Sequence, residues 1–279
     1  MPDIAFVNGR FCALADAVVS VEDRGFQFGD GIYEVIRTYG GRPFELDAHL
    51  ARLDQSARAL DLTQPYPPQR WKEYILEGIK LAGYHHAKVY LQVTRGAVPR
   101  DHVCPPDIEP TVVMTIRELS PLSASPCVSG VEAMTMEDIR WGRCDIKSVN
   151  LLANVLARQQ AKKARVFEAI LVKNGDVTEG AVSNVMAVLG GTVVTAPEGP
   201  RILSGVTRSV VLQLARQRGL QLKQRYLSLD ELYGAEEVFL TGTTVEVLGV
   251  VRIDGKTIGN GKPGPVTRAL AEGFADKTN

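Results

Sequence analysis

Four pairs of turn residues constrain this chain more than anything else in it. Asn8-Gly9, Gly40-Gly41, Asn174-Gly175 and Asp254-Gly255 each stand between two short apolar runs. Such pairs accept the positive φ angles of a two-residue hairpin, so each one makes the flanking strands antiparallel neighbours. Helical periodicity appears between these hairpins. Strands joined by tight turns and mixed with helices imply an α+β fold, not a doubly wound parallel sheet.

The first half reads as hairpins at 4–12 and 32–46. An amphipathic helix is expected over 47–62, a second helix over 71–82, and strands over 87–94 and 112–116. The stretch 120–126 (SPLSASP) packs two prolines and three serines into seven residues and is the best linker. It predicts an N-terminal α+β domain over 1–119 and a C-terminal domain over 127–279. In the second half, Leu151, Leu152, Val155 and Leu156 share one face of a helix over 148–164. Strands are expected over 168–172, 185–189, 238–240, 250–253 and 257–258, and helices over 207–218 and 265–274. Ser228 and Glu231 have the spacing of a capping box.

At 279 residues the chain has room for roughly two domains at about 150 residues each. Lys plus Arg equals Asp plus Glu at 32 each, so no charge excess points to nucleic acid or an anionic membrane. Any bound phosphate or carboxylate must be held by local groups. No apolar run is long enough to cross a bilayer, and the N-terminus does not read as a signal peptide. Cys12, Cys104, Cys127 and Cys144 are widely spaced without metal-ligand spacing, so no metal is expected and reduced thiols in the cytoplasm are. Neither GxGxxG after a strand nor a P-loop is present.

Several residues could carry chemistry, each with an ordinary alternative. Lys147 stands just before a helix; lysines in buried or cationic settings capture carbonyls, but most helix-start lysines are simply solvated. Glu179, in 177–184 (VTEGAVSN), could set a negative charge beside a pyridine nitrogen or be a solvated loop acid. Residues 203–208 (LSGVTR) open a helix whose free N–H groups suit a phosphate, or form an ordinary cap. The turn at 241–244 (TGTT) allows the same two readings. Arg52 follows His49 by three residues on one helix face and could bind phosphate or pair with a carboxylate. Arg100 and His102, on a Gly/Pro loop, could clamp a carboxylate or be a basic surface loop.

In this order and spacing the residues resemble the fold-type IV pyridoxal-phosphate (PLP) enzymes. That family includes D-amino-acid aminotransferases, branched-chain aminotransferases and aminodeoxychorismate lyases. The resemblance runs from 7–9 (VNG) through 24–34 (RGFQFGDGIYE) to 254–256 (DGK). It implies a smaller N-terminal α/β domain and a larger C-terminal one with a barrel-like sheet. It implies pyridoxal 5′-phosphate as cofactor, Lys147 as Schiff-base lysine and proton carrier, and Glu179 on the pyridine nitrogen. Arg52, Val206, Thr207 and Thr243 would hold the phosphate, with Leu203 against the ring.

The Arg100-x-His102 pair with Tyr33 resembles the carboxylate trap of the D-amino-acid branch, as does 145–152 (DIKSVNLL). There the loop comes from a neighbouring subunit, which implies a homodimer with active sites at the subunit interface. The substrates would be D-amino acids and 2-oxo acids. A branched-chain L-enzyme, an (R)-amine transaminase or a lyase of the same fold is the alternative. Two departures stand out. Ala181 and Val182 occupy positions where serines are usual, and Phe26 replaces a frequent tyrosine.

Overall fold

The computed structural model describes residues 3–120 and 128–278. They divide into two compact units: those of Met1–Pro121 with Ile146–Asn150, and those of Leu122–Asp145 with Leu151–Asn279. Apart from Ser120, the expected linker lies outside the described residues. The segment Ile146–Asn150, read from sequence as part of the C-terminal domain, groups with the N-terminal unit instead. The reason is backbone pairing. Tyr33 N–H donates to the Lys147 carbonyl at 3.0 Å, and Val149 N–H donates to the Gly31 carbonyl at 3.0 Å. Ile146 also joins the hydrophobic core of that unit.

The first unit is built on strands β1 (Ile4–Val7), β2 (Arg10–Ala13), β3 (Gly31–Tyr39), β4 (Arg42–Pro43), β5 (Ala87–Thr94) and β6 (Thr111–Glu118). They form an antiparallel sheet in the order β2-β1-β6-β5-β3-β4. Strand alternation decides what each residue faces. Ala87, Val89, Leu91 and Val93 of β5 and Ile32 and Ile36 of β3 enter a core with Leu50, Leu53, Trp71, Ile75 and Ile79. Those five come from the helices Leu46–Ala59 and Pro68–Ala82. The expected strand over 42–46 is only two residues long, because Glu45 takes a left-handed conformation and the helix begins at Leu46.

The second unit carries β7 (Val131–Glu137), β8 (Glu168–Lys173), β9 (Asp176–Gly180), β10 (Asn184–Leu189), β11 (Thr192–Thr195), β12 (Gln221–Gln224), β13 (Leu227–Ser228), β14 (Glu237–Gly242), β15 (Glu246–Ile253) and β16 (Lys256–Thr257). The curled, ten-stranded sheet runs β12-β11-β10-β14-β15-β7-β8-β9-β13, with β16 on β15. It is mixed: β7 runs parallel to β8 and β15, and β11 parallel to β12. A parallel pair needs a long crossover. The helix Leu152–Lys163 supplies it between β7 and β8, and Val206–Gln217 between β11 and β12. The capping box at Ser228 and Glu231 is present as predicted.

The first of these helices departs from expectation. It starts at Leu152, not at 148, because Ser148 is bridged to Ile32. Its buried face is Ala157 and Ala161, while Leu152, Val155 and Leu156 are exposed on their unit.

Candidate active site

Lys147 sits in the first unit on a segment paired with β3. Alternation puts Ile146 and Ser148 on the buried side and Lys147 on the side of Tyr33. The Lys147 Nζ lies 4.3 Å from the centroid of the Tyr33 ring, a cation–π distance. Its backbone N–H donates to Ser56 Oγ at 3.1 Å, so the lysine is fixed at both ends of its peptide. The residue is half-buried, not a solvated helix cap. Tyr33 stacks on Tyr90 at 5.7 Å, and the Tyr90 hydroxyl is pushed up to about 12 by burial and by Tyr33.

The same alternation turns Glu34, fully buried, toward the helix Leu46–Ala59. Arg52 grips it with two bonds, Nε to Oε1 at 2.7 Å and Nη2 to Oε2 at 2.8 Å, and His49 Nδ1 is 2.8 Å from Oε2. Burial works against ionisation of Glu34, but Arg52 and His49 outweigh it and hold the carboxyl well below its ordinary range. Arg52 is thereby pre-aimed. The sequence reading offered Arg52 a phosphate or a carboxylate, and Glu34, the partner that orients it, was missed. Its position two residues before Ile36 on an alternating strand was the available signal.

Arg100 and His102 lie exposed on the surface of their unit. The Arg100 guanidinium lies 4.6 Å from the Phe28 ring centroid, and the His102 ring 5.2 Å from it. The loop is held from beneath by Arg24, which is buried. Its Nη1 and Nη2 donate to the carbonyls of Asp101 (2.6 Å) and His102 (3.1 Å), and its Nε donates to Asp30 (2.9 Å). Neither Arg24 nor Asp30 was singled out from sequence.

In the second unit Glu179 lies near the end of β9 and is buried. Arg140 Nη1 donates to its Oε1, Asn184 Nδ2 to its Oε2 at 2.8 Å, and the Leu203 N–H to both oxygens at 3.1 and 3.2 Å. Burial pushes this carboxyl up to about 7, with Arg140 and the Leu203 N–H pulling the other way. It is no solvated loop acid. Asp138 receives Arg140 Nε (2.9 Å) and Nη2 (2.7 Å) and the Thr178 hydroxyl (2.9 Å). Sequence reasoning singled out neither Asp138 nor Arg140 nor Asn184, the residues that set the surroundings of Glu179.

Leu203 is thus tied to Glu179 through its N–H, and its carbonyl accepts from Asn184 Nδ2 at 2.9 Å. The helix Val206–Gln217 follows at once. Its cap, Gly205, has no side chain to satisfy the first N–H groups, and Thr207 is buried beside them. A Cβ on Gly205 would meet Asn184 Oδ1 at 2.0 Å, so only glycine fits while Asn184 holds Glu179. Thr243, half-buried, lies in the turn between β14 and β15. The structure therefore gathers Glu179, Leu203, Val206, Thr207 and Thr243 in one unit, and Lys147, Tyr33, Arg52, Arg100 and His102 in the other.

The pattern of the amino-transferase class IV family matches residues 31–253. The chain belongs to this family. It is 44% identical over 262 residues to a D-alanine aminotransferase of Bacillus licheniformis, covering 94% of this chain and 92% of that one. It is 42% identical over 270 residues to a D-alanine aminotransferase of Staphylococcus haemolyticus, covering 96% and 95%. Among solved structures, an Escherichia coli branched-chain amino acid aminotransferase superposes with TM-score 0.92 at 27% identity, covering 99% of this chain and 94% of that one. A branched-chain amino acid aminotransferase of T.th. with pyridoxamine 5′-phosphate superposes with TM-score 0.91 at 29% identity, covering 99% and 94%.

The residues suit pyridoxal 5′-phosphate. Glu179 is a buried carboxyl reached by Arg140, Asn184 and a single Leu203 N–H split between its two oxygens, and a split N–H can yield one oxygen to a protonated ring nitrogen. An uncapped helix start with a buried threonine suits a phosphate.

Proposed function

We propose that this chain is a PLP-dependent D-amino-acid aminotransferase. It moves the amino group of a D-amino acid such as D-alanine to a 2-oxo acid such as 2-oxoglutarate. One observation carries the substrate choice: three relatives at 40% to 44% identity, matched over nearly their whole length, are named D-alanine aminotransferases. The two branched-chain enzymes superposed above stand at 27% and 29% identity.

When bound, the cofactor supplies an aldehyde that captures amines and a ring that draws electrons from the substrate α carbon. The chain's residues do the rest. Lys147 would hold the cofactor through Nζ and, once released, would take the α proton from the substrate and deliver it to the cofactor's C4′ carbon. Glu179 keeps negative charge at the ring nitrogen. Arg52, braced by Glu34, and the N–H groups of Val206 and Thr207, with the Thr243 hydroxyl, would hold the phosphate. Leu203 would pack against the ring. Arg100 and His102, with Tyr33, clamp the substrate carboxylate; fixing it decides which face of the α carbon meets Lys147 and so the chirality.

The clamp is read as a loop donated by a second copy, making the enzyme a homodimer in the cytoplasm. What supports this is exposure: Arg100 and His102 face outward, followed by Val103 at 76% exposure, and the hydrogen-bonded neighbouring segment carries Phe26 at 78%. Among the described residues no helix is long and apolar enough to cross a membrane.

Borohydride reduction of the holoenzyme followed by peptide mapping tests the anchor. A phosphopyridoxyl group is expected on Lys147, and Lys147→Ala should lose turnover. Full transamination by that variant would end the reading. A paired assay with both enantiomers of alanine and of leucine tests the substrate, and consumption of L-leucine with D-alanine ignored would overturn it.

A further inference from the structure

Glu179 does not meet the interior alone, and its neighbours carry a consequence for the cofactor. We propose that Arg140, braced by Asp138, biases the proton shared between Glu179 and the cofactor ring nitrogen toward the nitrogen, which makes Arg140 a positioning residue for the reaction. This rests on the reading of Glu179 given above.

One proton between two bases resides on the one that holds it more tightly. Burial alone makes a carboxyl a strong competitor, because it disfavours the anion. Glu179 is buried, and burial is the largest influence on it, raising its carboxyl to about 7 even with Arg140 in place. Without an opposing charge the carboxyl would keep the proton, and a neutral acid facing a neutral nitrogen withdraws little charge from the ring. Arg140 supplies that opposing charge. Arginine stays protonated in proteins, so the charge is permanent.

The geometry aims it. Nε and Nη2 fork onto the two oxygens of Asp138 at 2.9 and 2.7 Å, and Nη2 also reaches the Arg201 carbonyl at 3.2 Å. That leaves Nη1 directed at Glu179 Oε1. The other titratable groups around Glu179 do not replace it. Asp138 is an anion and raises the Glu179 carboxyl. The Cys144 thiol is pushed up to about 11 by burial and is neutral at pH 7. Arg208 is engaged with Glu198, Gln224 and the Ala196 carbonyl. Asn184 and the Leu203 N–H are neutral donors.

The two charged neighbours therefore act in opposite senses, which separates this role from mere bracing. Removing Arg140 moves the proton toward Glu179. Removing the charge of Asp138 alone leaves it on the ring nitrogen, at least as firmly as before.

The experiment loads the apoprotein with pyridoxal phosphate carrying ¹⁵N in the ring and reads the nitrogen resonance, which separates protonated from neutral nitrogen. The wild type and Arg140→Lys should give the protonated signal. Arg140→Gln should lose it, and so should Asp138→Asn combined with Arg140→Gln, a pair that leaves no unpaired buried carboxylate at position 138; whichever of the two folds is decisive. Asp138→Asn alone should keep it. In the Arg140→Gln variants kcat should drop about tenfold or more, with KM for D-alanine changing far less. A protonated signal surviving loss of Arg140 overturns the proposal, as does its loss in Asp138→Asn alone. Glu179→Gln is the control. If it leaves the wild-type signal intact, the assignment of Glu179 to the ring itself fails; if Glu179→Gln abolishes the signal but the Arg140 variants keep it, the failure is confined to this inference.

Discussion

Two buried glutamates show how partners decide the state of a side chain. Glu34 and Glu179 are both nearly inaccessible, yet their carboxyls shift in opposite directions. Glu34 has two Arg52 bonds and His49, and these outweigh burial. Glu179 shares Arg140 with Asp138, and burial wins. For Glu34, the folded value lies below the ordinary 4.5, so its contribution to stability is present above pH 4.5 and lost only as pH falls toward the folded value. For Glu179, the folded value of about 7 lies above 4.5. Its contribution is full below pH 4.5 and disappears as pH rises through 7, a change on the order of 3 kcal/mol. Thermal unfolding of apoprotein across this window should therefore show wild type losing ground to Glu179→Gln as pH rises. A constant difference between the two would contradict the raised carboxyl. Neither state was legible in the sequence. The sequence identified Glu179 by its family pattern but not Arg140, because a guanidinium 39 positions away in sequence enters only when β9 is folded beside it. Glu34 makes the cleaner affinity test. Replacing it with Gln removes the anion that aims Arg52, so equilibrium dialysis should show PLP affinity of the apoprotein falling roughly tenfold, by the worth of a charge-assisted bond.

At the scale of elements, the proposed function falls on the loop that presents Arg100 and His102 and on the start of the helix Val206–Gln217. Arg24 supports the loop by two carbonyl bonds and lies far from it in sequence. Arg24→Met should therefore raise KM for D-alanine several-fold while PLP affinity stays near wild type; steady-state kinetics beside cofactor titration separates the two. Equal loss of both would place Arg24 in general stability instead. The helix start is intolerant for another reason. Gly205→Ala puts a methyl 2.0 Å from Asn184 Oδ1, and the amide must leave Glu179 or the helix must shift. PLP affinity should fall by more than about tenfold either way, since both sets of proposed cofactor contacts depend on it. Hairpins at Asn-Gly and Asp-Gly turns, the long helices and the capping box were legible because turn chemistry and periodicity are local. The parallel pairings of β7 with β8 and β11 with β12 were not, because crossover partners leave no local mark. The insertion of Ile146–Asn150 beside β3 was hidden for the same reason, and that insertion is what sets the direction of Lys147.

At the scale of the whole molecule, what the surface leaves uncovered demands an explanation. Val18, Val21, Phe26 and Val103 are each more than 70% exposed, and they belong to two segments joined directly. Val98 N–H donates to the Glu22 carbonyl, Arg24 N–H donates to the Gly96 carbonyl, and Asp23 bridges Ala97. Clustered exposed apolar residues on a folded enzyme mark a surface that something covers. The same stretch carries Arg100 and His102, the proposed substrate clamp. The proposed homodimer would account for both facts, because one symmetric contact would cover the apolar residues and carry each clamp to its partner. Wild type should therefore sediment as a dimer, and Phe26→Asp with Val103→Asp should shift it to monomer. The monomer should keep its fold by circular dichroism yet lose most D-alanine turnover, because each clamp then has no neighbouring site to enter. A wild-type monomer with full turnover would show that one chain suffices and that the loop serves its own site.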